Sequence, residues 1–322
     1  MDRLFEEINR LWEAVDRFLQ EPVSGRPLAF FRVVWGGFLI YYYLRIYWLL
    51  NLYYGADGLY YVPGISGQPP ILQWSLFYWV GQSSLILHGM YALALIASLG
   101  TMLGRYTRTC SVVVFLCTVS FITPAFWGTN SADQLVKIIS FLFMVASLAG
   151  YTTRYYSLDN RDQGEDEEDG DQALIPAWPY RIFQVQLCIV YAMSGLAKAG
   201  KSDWQNGQAM EVVFAQTDSW MRFDVGLGDY PAFLALSTVA VLLWELVAFP
   251  VLVWIKGLRL WVLASGVLFH VSIIIICKVF IFSEVMILLY FAFLTENEIK
   301  HVSSYLKSVY QGITSKEKPI SA

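Results

Sequence analysis

The sequence predicts an all-α polytopic membrane protein with about eight transmembrane helices, and three observations support this fold class. Of its 322 residues, 57% are hydrophobic and only 15% are charged, whereas about a quarter of the residues in soluble domains are charged. Eight apolar stretches are long enough to cross a bilayer. Basic residues fall mainly on alternate connections between these stretches, as in chains that keep their positive charge on one side of a membrane.

The first element in chain order is a helix over residues 1–21, MDRLFEEINRLWEAVDRFLQE. Its apolar residues recur three or four positions apart and charged residues fill the other face, which predicts an amphipathic interfacial helix. The apolar face consists of Leu4, Ile8, Leu11, Val15, Phe18 and Leu19. We expect this helix to lie on the membrane surface or to cap the helix bundle.

The transmembrane domain is predicted over residues 22–297. Its eight spans lie near residues 28–50, 82–103, 109–127, 134–151, 178–199, 232–254, 259–277 and 279–295. Residues 157–173 form an acidic linker that contains DQGEDEEDGD, and residues 298–322 form a tail. With basic connections on the inside, eight spans leave both termini and the linker in the cytoplasm. The bacterial plasma membrane is favoured as the location, and the endoplasmic reticulum is the alternative.

Composition also limits the partners and the chemistry. The net charge is −4 and the basic residues form no stripe, so we expect the lipid bilayer as a partner and exclude nucleic acid. The four cysteines all lie within or at the edge of apolar runs. That placement favours packed thiols over a disulfide framework or a metal site.

Ionisable residues within the spans are candidates for a functional site, because such groups are costly in a membrane unless they face a partner, water or a ligand. Simpler alternatives exist for several of them. Arg32 can extend to the membrane surface, Asp133 can pair with Lys137 at i,i+4 spacing, and His270 can pack without a ligand. The full set is Arg32, Arg45, Asp133, Lys137, Lys198, Glu245, His270 and Glu284.

In the fifth span, polar residues follow one helix face. Gln184, Tyr191 and Lys198 are seven residues apart, which is two helical turns each, and Gly195 on the same face leaves room beside them. One interpretation is close helix packing with polar groups joining the helices. The other is an amine in a poorly hydrated pocket, where the ammonium form is disfavoured and Lys198 acts as a base. A carboxylate beside the amine opposes that effect, so the position of Glu245 is decisive.

The stretch YAMSGLAKAGKSDWQNGQAM, residues 191–210, resembles a signature of the vitamin K-dependent gamma-glutamyl carboxylases and their microbial relatives, the HTTM (horizontally transferred transmembrane) domain proteins. The matching positions are Tyr191, Ser194, Gly195, Lys198, Asp203, Trp204, Gly207 and Met210, with one extra residue between the lysine and Asp-Trp. Weaker matches are RPLAFFRVVWG, NSADQL, LLWELVAFPVL and LRLWVLASGVLFHVSI. They occur in the family's order, and the resemblance covers roughly residues 22–295.

The resemblance implies a carboxylase-like helix bundle and a chemistry. In the carboxylases a lysine of this motif deprotonates reduced vitamin K, and Lys198 occupies the matching position. His270 matches a histidine of a later span and is the second candidate catalytic residue. A reduced, vitamin K-like quinone is the candidate cofactor, and no metal site is predicted. The candidate substrate-binding residues are Gln184, Tyr191, Trp204, Asp133, Glu245 and Arg32.

Three functions remain open at this point. Only about 27 residues follow the last span, whereas the carboxylase carries a large lumenal domain, so carboxylation of a propeptide-bearing protein is not expected. The chain is similar in size to short relatives that act in maturation of the sporulation-delaying peptide. The first function is a membrane enzyme or maturation factor that uses Lys198 on a quinone-like or secreted peptide substrate. The second is a non-catalytic component of a peptide export or toxin-maturation complex, with a small accessory protein as partner. The third is a transporter.

Overall fold

A computed structural model describes residues 2–60, 74–125, 128–161, 174–215, 221–223, 226–279, 281–302, 304 and 308. Most of this part, 78%, is helical, and within it the two strands β1 (Pro22–Ser24) and β2 (Leu174–Pro176) pair antiparallel. Six of its helices are long and apolar enough to cross a membrane. The predicted all-α membrane fold is therefore confirmed. The acidic linker from residue 162 to 173 and most of the tail beyond residue 302 lie outside the described residues.

The first half of the chain forms helices α1 to α8. Their bounds are α1 Asp2–Gln20, α2 Arg26–Ile46, α3 Leu50–Tyr54, α4 Phe77–Val80, α5 Ser84–Leu103, α6 Thr107–Ile122, α7 Ser131–Leu148 and α8 Leu158–Arg161. Helix α2 begins with a proline in its first turn, where the missing N–H would have no helical partner anyway. Helix α5 ends at Gly104 in the left-handed conformation, the usual glycine stop signal.

The second half forms helices α9 to α14. Their bounds are α9 Trp178–Ala199, α10 Ser202–Gln205, α11 Ala209–Ala215, α12 Pro231–Leu243, α13 Lys256–Ile276 and α14 Phe282–Leu289. Helix α12 continues without a break into a π-helix, Trp244–Leu252. Helix α14 is followed by a 3₁₀ turn, Tyr290–Phe293, and residues 296–302 are helical.

Hydrogen bonds fix the directions of the helices in the first half. The Arg32 guanidinium, near the start of α2, donates to the carbonyl of Thr101 near the end of α5 (2.8 Å) and to that of Thr152 beyond the end of α7 (3.1 Å). Tyr42, near the end of α2, donates to Asp133 at the start of α7 (2.8 Å). Helices α5 and α7 therefore both run antiparallel to α2, and α6 returns between them.

The second half is arranged in the same alternating way. The Trp254 ring, just beyond the π-helix, lies 5.6 Å from the guanidinium of Arg181 in the first turn of α9, so α12 and the π-helix run antiparallel to α9. Arg259, at the start of α13, pairs with Glu298 beyond α14 (2.5 Å). We call the end of the bundle where α2, α9 and α13 begin the basal end, and the opposite end the distal end.

Helix α1 attaches to the basal end through its last turn. Arg181 donates to the Phe18 carbonyl (3.4 Å), and its guanidinium lies 4.4 Å from the Phe18 ring. The apolar face before this turn is exposed in the described part of the chain, with Leu11 at 67% and Trp12 at 74%. Only the last turn of α1 therefore caps the bundle in the described part of the chain. The placement of α1 on a membrane surface stays a prediction.

Candidate active site

A cavity of about 250 Å³ lies towards the distal end, between α9, the π-helix, α13 and α14. Most of its wall is apolar or aromatic: Val190, Met210, Val213, Val241, Phe269, Ile273, Phe282 and Met286 line it. Its polar lining consists of Tyr191, Ser194, Lys198, Trp204, Glu245 and His270. We call it the distal cavity.

One side of the distal cavity is an ion pair between two helices. The Lys198 Nζ atom donates to Glu245 Oε1 (2.7 Å), to Glu245 Oε2 (2.6 Å) and to Ser194 Oγ (2.6 Å). The three protons of an ammonium thus have three acceptors. The Lys198 side chain keeps 25% exposure and that of Glu245 keeps 6%. The Trp204 ring covers the amine at 5.4 Å, within the range of a cation–π contact.

Backbone features on both helices bring the pair together. A Cβ atom at Gly195 would lie 2.8 Å from Leu246 Cγ and Cδ2, so α9 can approach the π-helix this closely only because residue 195 is glycine. Pro250, inside the π-helix, has no N–H to donate to the carbonyl of Leu246 four residues earlier, which accounts for the irregular turn. Such π-helical turns are frequent at functional sites.

The deeper side of the distal cavity is a hydrogen-bonded chain. The Tyr191 hydroxyl lies 2.7 Å from His270 Nε2 and 2.5 Å from the Tyr290 hydroxyl, and His270 Nδ1 lies 3.2 Å from Ser283 Oγ. Tyr191, His270 and Ser283 are 2%, 1% and 0% exposed. A Cβ atom at Gly266 would lie 2.4 Å from the Tyr290 hydroxyl, so this glycine makes room for the chain. Each member can both donate and accept, so the chain can orient or pass a proton.

Five of the eight predicted site residues meet in the distal cavity: Lys198, His270, Tyr191, Trp204 and Glu245. Gln184, the third member of the fifth-span stripe, does not. Its side chain donates to the Ala292 carbonyl (2.9 Å) and accepts from Arg181 (3.0 Å) at the basal end. The stripe is therefore real as a helix face, but the cavity covers only its distal part.

Asp133 lies in the other half of the bundle, where it caps α7. The Asn130 N–H donates to its Oδ2 (2.9 Å) and the Tyr42 hydroxyl donates to its Oδ1 (2.8 Å). This is a capping box. Among the ion pairs of the described residues, none joins Asp133 to Lys137.

Arg32 lies at the basal end and is 0% exposed, so the interpretation that it extends to the membrane surface is wrong. Its five N–H groups make five hydrogen bonds to backbone carbonyls, those of Thr101, Met102, Thr152, Tyr155 and Tyr156. Buried in this way, the guanidinium fastens the ends of α5 and α7 to α2. Arg32, Asp133 and Gln184 do not line the distal cavity. Their substrate-binding roles therefore stay predictions.

Sequence reasoning missed three residues of this site. Tyr290 and Ser283 complete the deeper chain, and Trp244 packs its ring 4.7 Å from that of Tyr191. Nothing in the spacing of α9 signals Tyr290, which lies 99 residues further along the chain. The proline at position 250, in contrast, was a visible sign of an irregular helix beside Glu245.

A family model described as the HTTM domain matches residues 20–297, which is most of the chain. The match includes the fifth-span signature at residues 191–210 and agrees with the resemblance found there. No curated protein and no solved structure matches the chain significantly.

Proposed function

Because the chain belongs to the HTTM domain family, which is related to the vitamin K-dependent carboxylases, we propose that it is a membrane enzyme in which Lys198 acts as a base. One observation carries the proposal. The Lys198 amine lies between Ser194 and Glu245 on the wall of an otherwise largely apolar cavity. Such a wall excludes water and strengthens the electrostatic interactions of the few polar groups inside it.

Glu245 lies directly beside the Lys198 amine, the arrangement that opposes a neutral amine in the resting pocket, so this carboxylate must itself take part in the proton transfers of the base. Nζ must first give up one proton, and both carboxylate oxygens of Glu245 lie within hydrogen-bond distance to receive it. The neutral amine then takes a proton from a hydroxyl of the substrate with its lone pair. The resulting ammonium stabilises the oxyanion beside it. Ser194 and Trp204 hold the amine in place during both transfers.

The shape of the distal cavity favours a small ring compound as substrate. About 250 Å³ is slightly below the range of about 300–1,000 Å³ for drug-sized ligands, so a ring system fits and a folded peptide does not. Phe269 and Phe282 offer faces for stacking. The polar groups lie towards two sides, at Lys198 and at Tyr191, seven residues or about 10 Å apart along α9.

A reduced quinone meets these conditions, because it is an aromatic ring that carries two hydroxyl oxygens on opposite sides. Lys198 would face one oxygen, and the Tyr191–His270 pair would donate to or accept from the other. When bound, such a ring supplies a phenolic hydroxyl whose anion is readily oxidised. The residues of this chain bind the ring, exclude water and move the proton.

The test uses the purified protein in nanodiscs with a reduced, water-soluble naphthoquinone in aerated buffer. Dissolved dioxygen oxidises the ring anion, and chromatography follows the quinone formed above the rate without protein. We expect Lys198→Ala to lower the rate by about 10²-fold or more, the usual contribution of a positioned base. Quenching of tryptophan fluorescence by the same ring should persist, because the apolar and aromatic residues of the wall are unchanged.

Lys201→Ala is the matched control. Lys201 is exposed, lies three residues from Lys198 and does not line the distal cavity, so its variant should keep the wild-type rate. A Lys198→Ala protein that converts the ring at the wild-type rate would falsify the role of the base. Absence of conversion by the wild-type protein would rule out the reduced quinone as substrate.

One observation favours a second candidate function, that of a non-catalytic component of a peptide export or maturation complex. Both carboxylate oxygens of Glu245 accept from Lys198, as expected of two residues that merely join α9 to the π-helix. In that case the distal cavity would be a by-product of packing. The turnover assay separates the two functions, because a non-catalytic component converts no reduced quinone, and the paired substitution in the Discussion tests whether the pair is only structural.

We further propose that the chain crosses the membrane eight times, with the basal end in the cytoplasm. The two shorter apolar helices, Thr107–Ile122 and Phe282–Phe293, supply the additional crossings. The alternating directions of the helices support this count, and the basic residues of the basal end, such as Arg181 and Arg259, support this orientation.

A further inference from the structure

A second cavity, of about 450 Å³, lies at the basal end of the bundle. It is lined by the segments at the starts of α2 and α9, by the connection from the π-helix to α13, and by the segment that follows α14. Among the described residues, none lines both this cavity and the distal cavity. Its volume falls within the range of about 300–1,000 Å³ that is usual for ligand sites. We call it the basal cavity.

Cationic groups outnumber carboxylates in and around the basal cavity. Five cations face three carboxylates among the described residues, which leaves a net charge of plus two. The cations are Arg26, Arg181, Lys256, Arg259 and Lys300, and the carboxylates are Glu21, Glu296 and Glu298. A positive concave site favours an anion.

The pairing within this group leaves specific donors available. Glu296 is shared between Arg26 (3.1 Å) and Lys300 (2.7 Å), so one carboxylate serves two cations. Arg259 binds Glu298 through Nη2 (2.5 Å), but its Nε–H is buried and has no hydrogen-bond partner among the described residues. Lys256 is exposed at the rim and makes no ion pair within the described part of the chain. A buried donor without an acceptor is costly, so an anionic ligand at Arg259 would remove that cost.

Part of the remaining wall of the basal cavity is apolar, beside the polar side chains of Ser24, Gln184 and Thr295. Val23, Pro27, Val253, Phe293 and Leu294 line it beside the cations. The cavity lies at the ends of the membrane-spanning helices, where the lipid headgroups begin. A ligand that is anionic at one point and apolar elsewhere, at this depth, is a lipid.

We propose that the basal cavity binds the phosphate headgroup of an anionic membrane lipid. Lys256 and the guanidinium of Arg259, which both line the cavity, donate to the phosphate oxygens, and the apolar part of the wall packs against the glycerol and the first methylenes. Basic pockets between transmembrane helices take such headgroups in other membrane proteins. The inference is independent of the reaction at Lys198.

The test measures lipid retention by native mass spectrometry on the full chain, in nanodiscs of phosphatidylcholine with graded amounts of phosphatidylglycerol. The wild type should retain phosphatidylglycerol in preference to phosphatidylcholine. Lys256→Gln should weaken this retention about five-fold, equivalent to about 1 kcal/mol for one cation at a membrane surface. Because Lys256 makes no ion pair in the described chain, the variant should fold normally, and Lys256→Arg should restore retention.

Two controls separate this site from general charge effects and from soluble phosphate. The Arg10→Gln, Arg17→Gln double variant removes two exposed cations from α1 and should leave retention unchanged. Inorganic phosphate, added to protein in pure phosphatidylcholine, should raise the thermal unfolding temperature less than phosphatidylglycerol does. Equal protection by inorganic phosphate would contradict a lipid ligand. Unchanged retention by Lys256→Gln, or equal retention of both lipids by the wild type, would overturn the site.

Discussion

Lys198 and Glu245 are the residues on which the function at the distal cavity depends. Each is charged in a membrane-spanning helix and each is compensated by the other, at 2.6–2.7 Å. Removal of one partner from a buried pair leaves an uncompensated charge and costs about 3–5 kcal/mol, whereas replacement of both by apolar residues is often neutral. Stability and activity therefore respond differently to single and to paired substitutions.

We predict that Lys198→Met and Glu245→Met each lower the thermal unfolding temperature, and that the double variant recovers most of the loss. The recovery follows because the double variant leaves no charge in the distal cavity. If the pair is catalytic, the recovered double variant still has no activity on the reduced naphthoquinone. Thermal unfolding and turnover are measured on the same samples. A double variant that is stable and fully active would identify the pair as a structural clamp.

The sequence predicted some residues of this site and missed others. The seven-residue spacing correctly put Tyr191 and Lys198 on one face, and both line the distal cavity. The same spacing included Gln184, which is about 21 Å from Lys198 along the helix and contacts Ala292 instead. Spacing within one helix gives the face but not the depth at which other helices open a cavity. Tyr290 was missed for the same reason, because it comes from another helix.

At the scale of elements, the contact between α9 and the π-helix positions the ion pair. Gly195 allows the approach, and Leu246, next to Glu245, fills the space that a side chain at position 195 would need. The irregular π-helical turn presents Glu245 towards α9. A change in the distance between these helices should therefore separate Lys198 from Glu245 without a change in either residue.

We predict that Gly195→Val moves the π-helix away from α9 and lowers turnover at least as much as loss of the ion pair does. A Cβ atom 2.8 Å from two carbons of Leu246 cannot be accommodated without a shift. Gly89→Ala in α5 is the control, since no atom of the described residues lies within 4 Å of its added Cβ atom. This change should leave turnover unchanged and stabilise the helix slightly, by about 0.5–1 kcal/mol. If Gly195→Val and Gly89→Ala have equal turnover, the close contact between α9 and the π-helix does not position the ion pair for catalysis.

The elements themselves were more predictable than their details. The predicted fifth span, 178–199, has the same limits as α9, Trp178–Ala199, because polar connections and a proline mark its start. The eighth span was predicted over 279–295, yet its regular α-helix is only Phe282–Leu289. Hydropathy finds an apolar stretch of the right length, but it does not distinguish α-helix from the 3₁₀ turn that follows. The π-helix escaped detection in the same way.

At the scale of the whole molecule, the strand pair joins the two halves of the chain at one end. Val23 of β1 pairs with Ile175 of β2, and the Tyr180 hydroxyl, at the start of α9, accepts from the Leu28 N–H at the start of α2 (3.1 Å). Both halves therefore begin at the basal end. An even number of crossings must separate two segments that meet on the same side of a membrane. Among the described residues of that half, three helices are long enough by length and hydropathy to span, so this pairing supports α6 as the fourth.

We predict that α6 and α14 both cross the membrane, and cysteine labelling tests this directly. In a chain whose four native cysteines are replaced, Arg108→Cys and Ser131→Cys flank α6, and Lys278→Cys and His301→Cys flank α14; all four positions are exposed. In sealed vesicles, an impermeant maleimide should label one member of each pair from outside and the other only after permeabilisation. Arg108 and His301 should share a side, because both lie at the basal end. If the two members of a pair label from the same side, the helix between them does not cross, and the proposed count of eight is wrong.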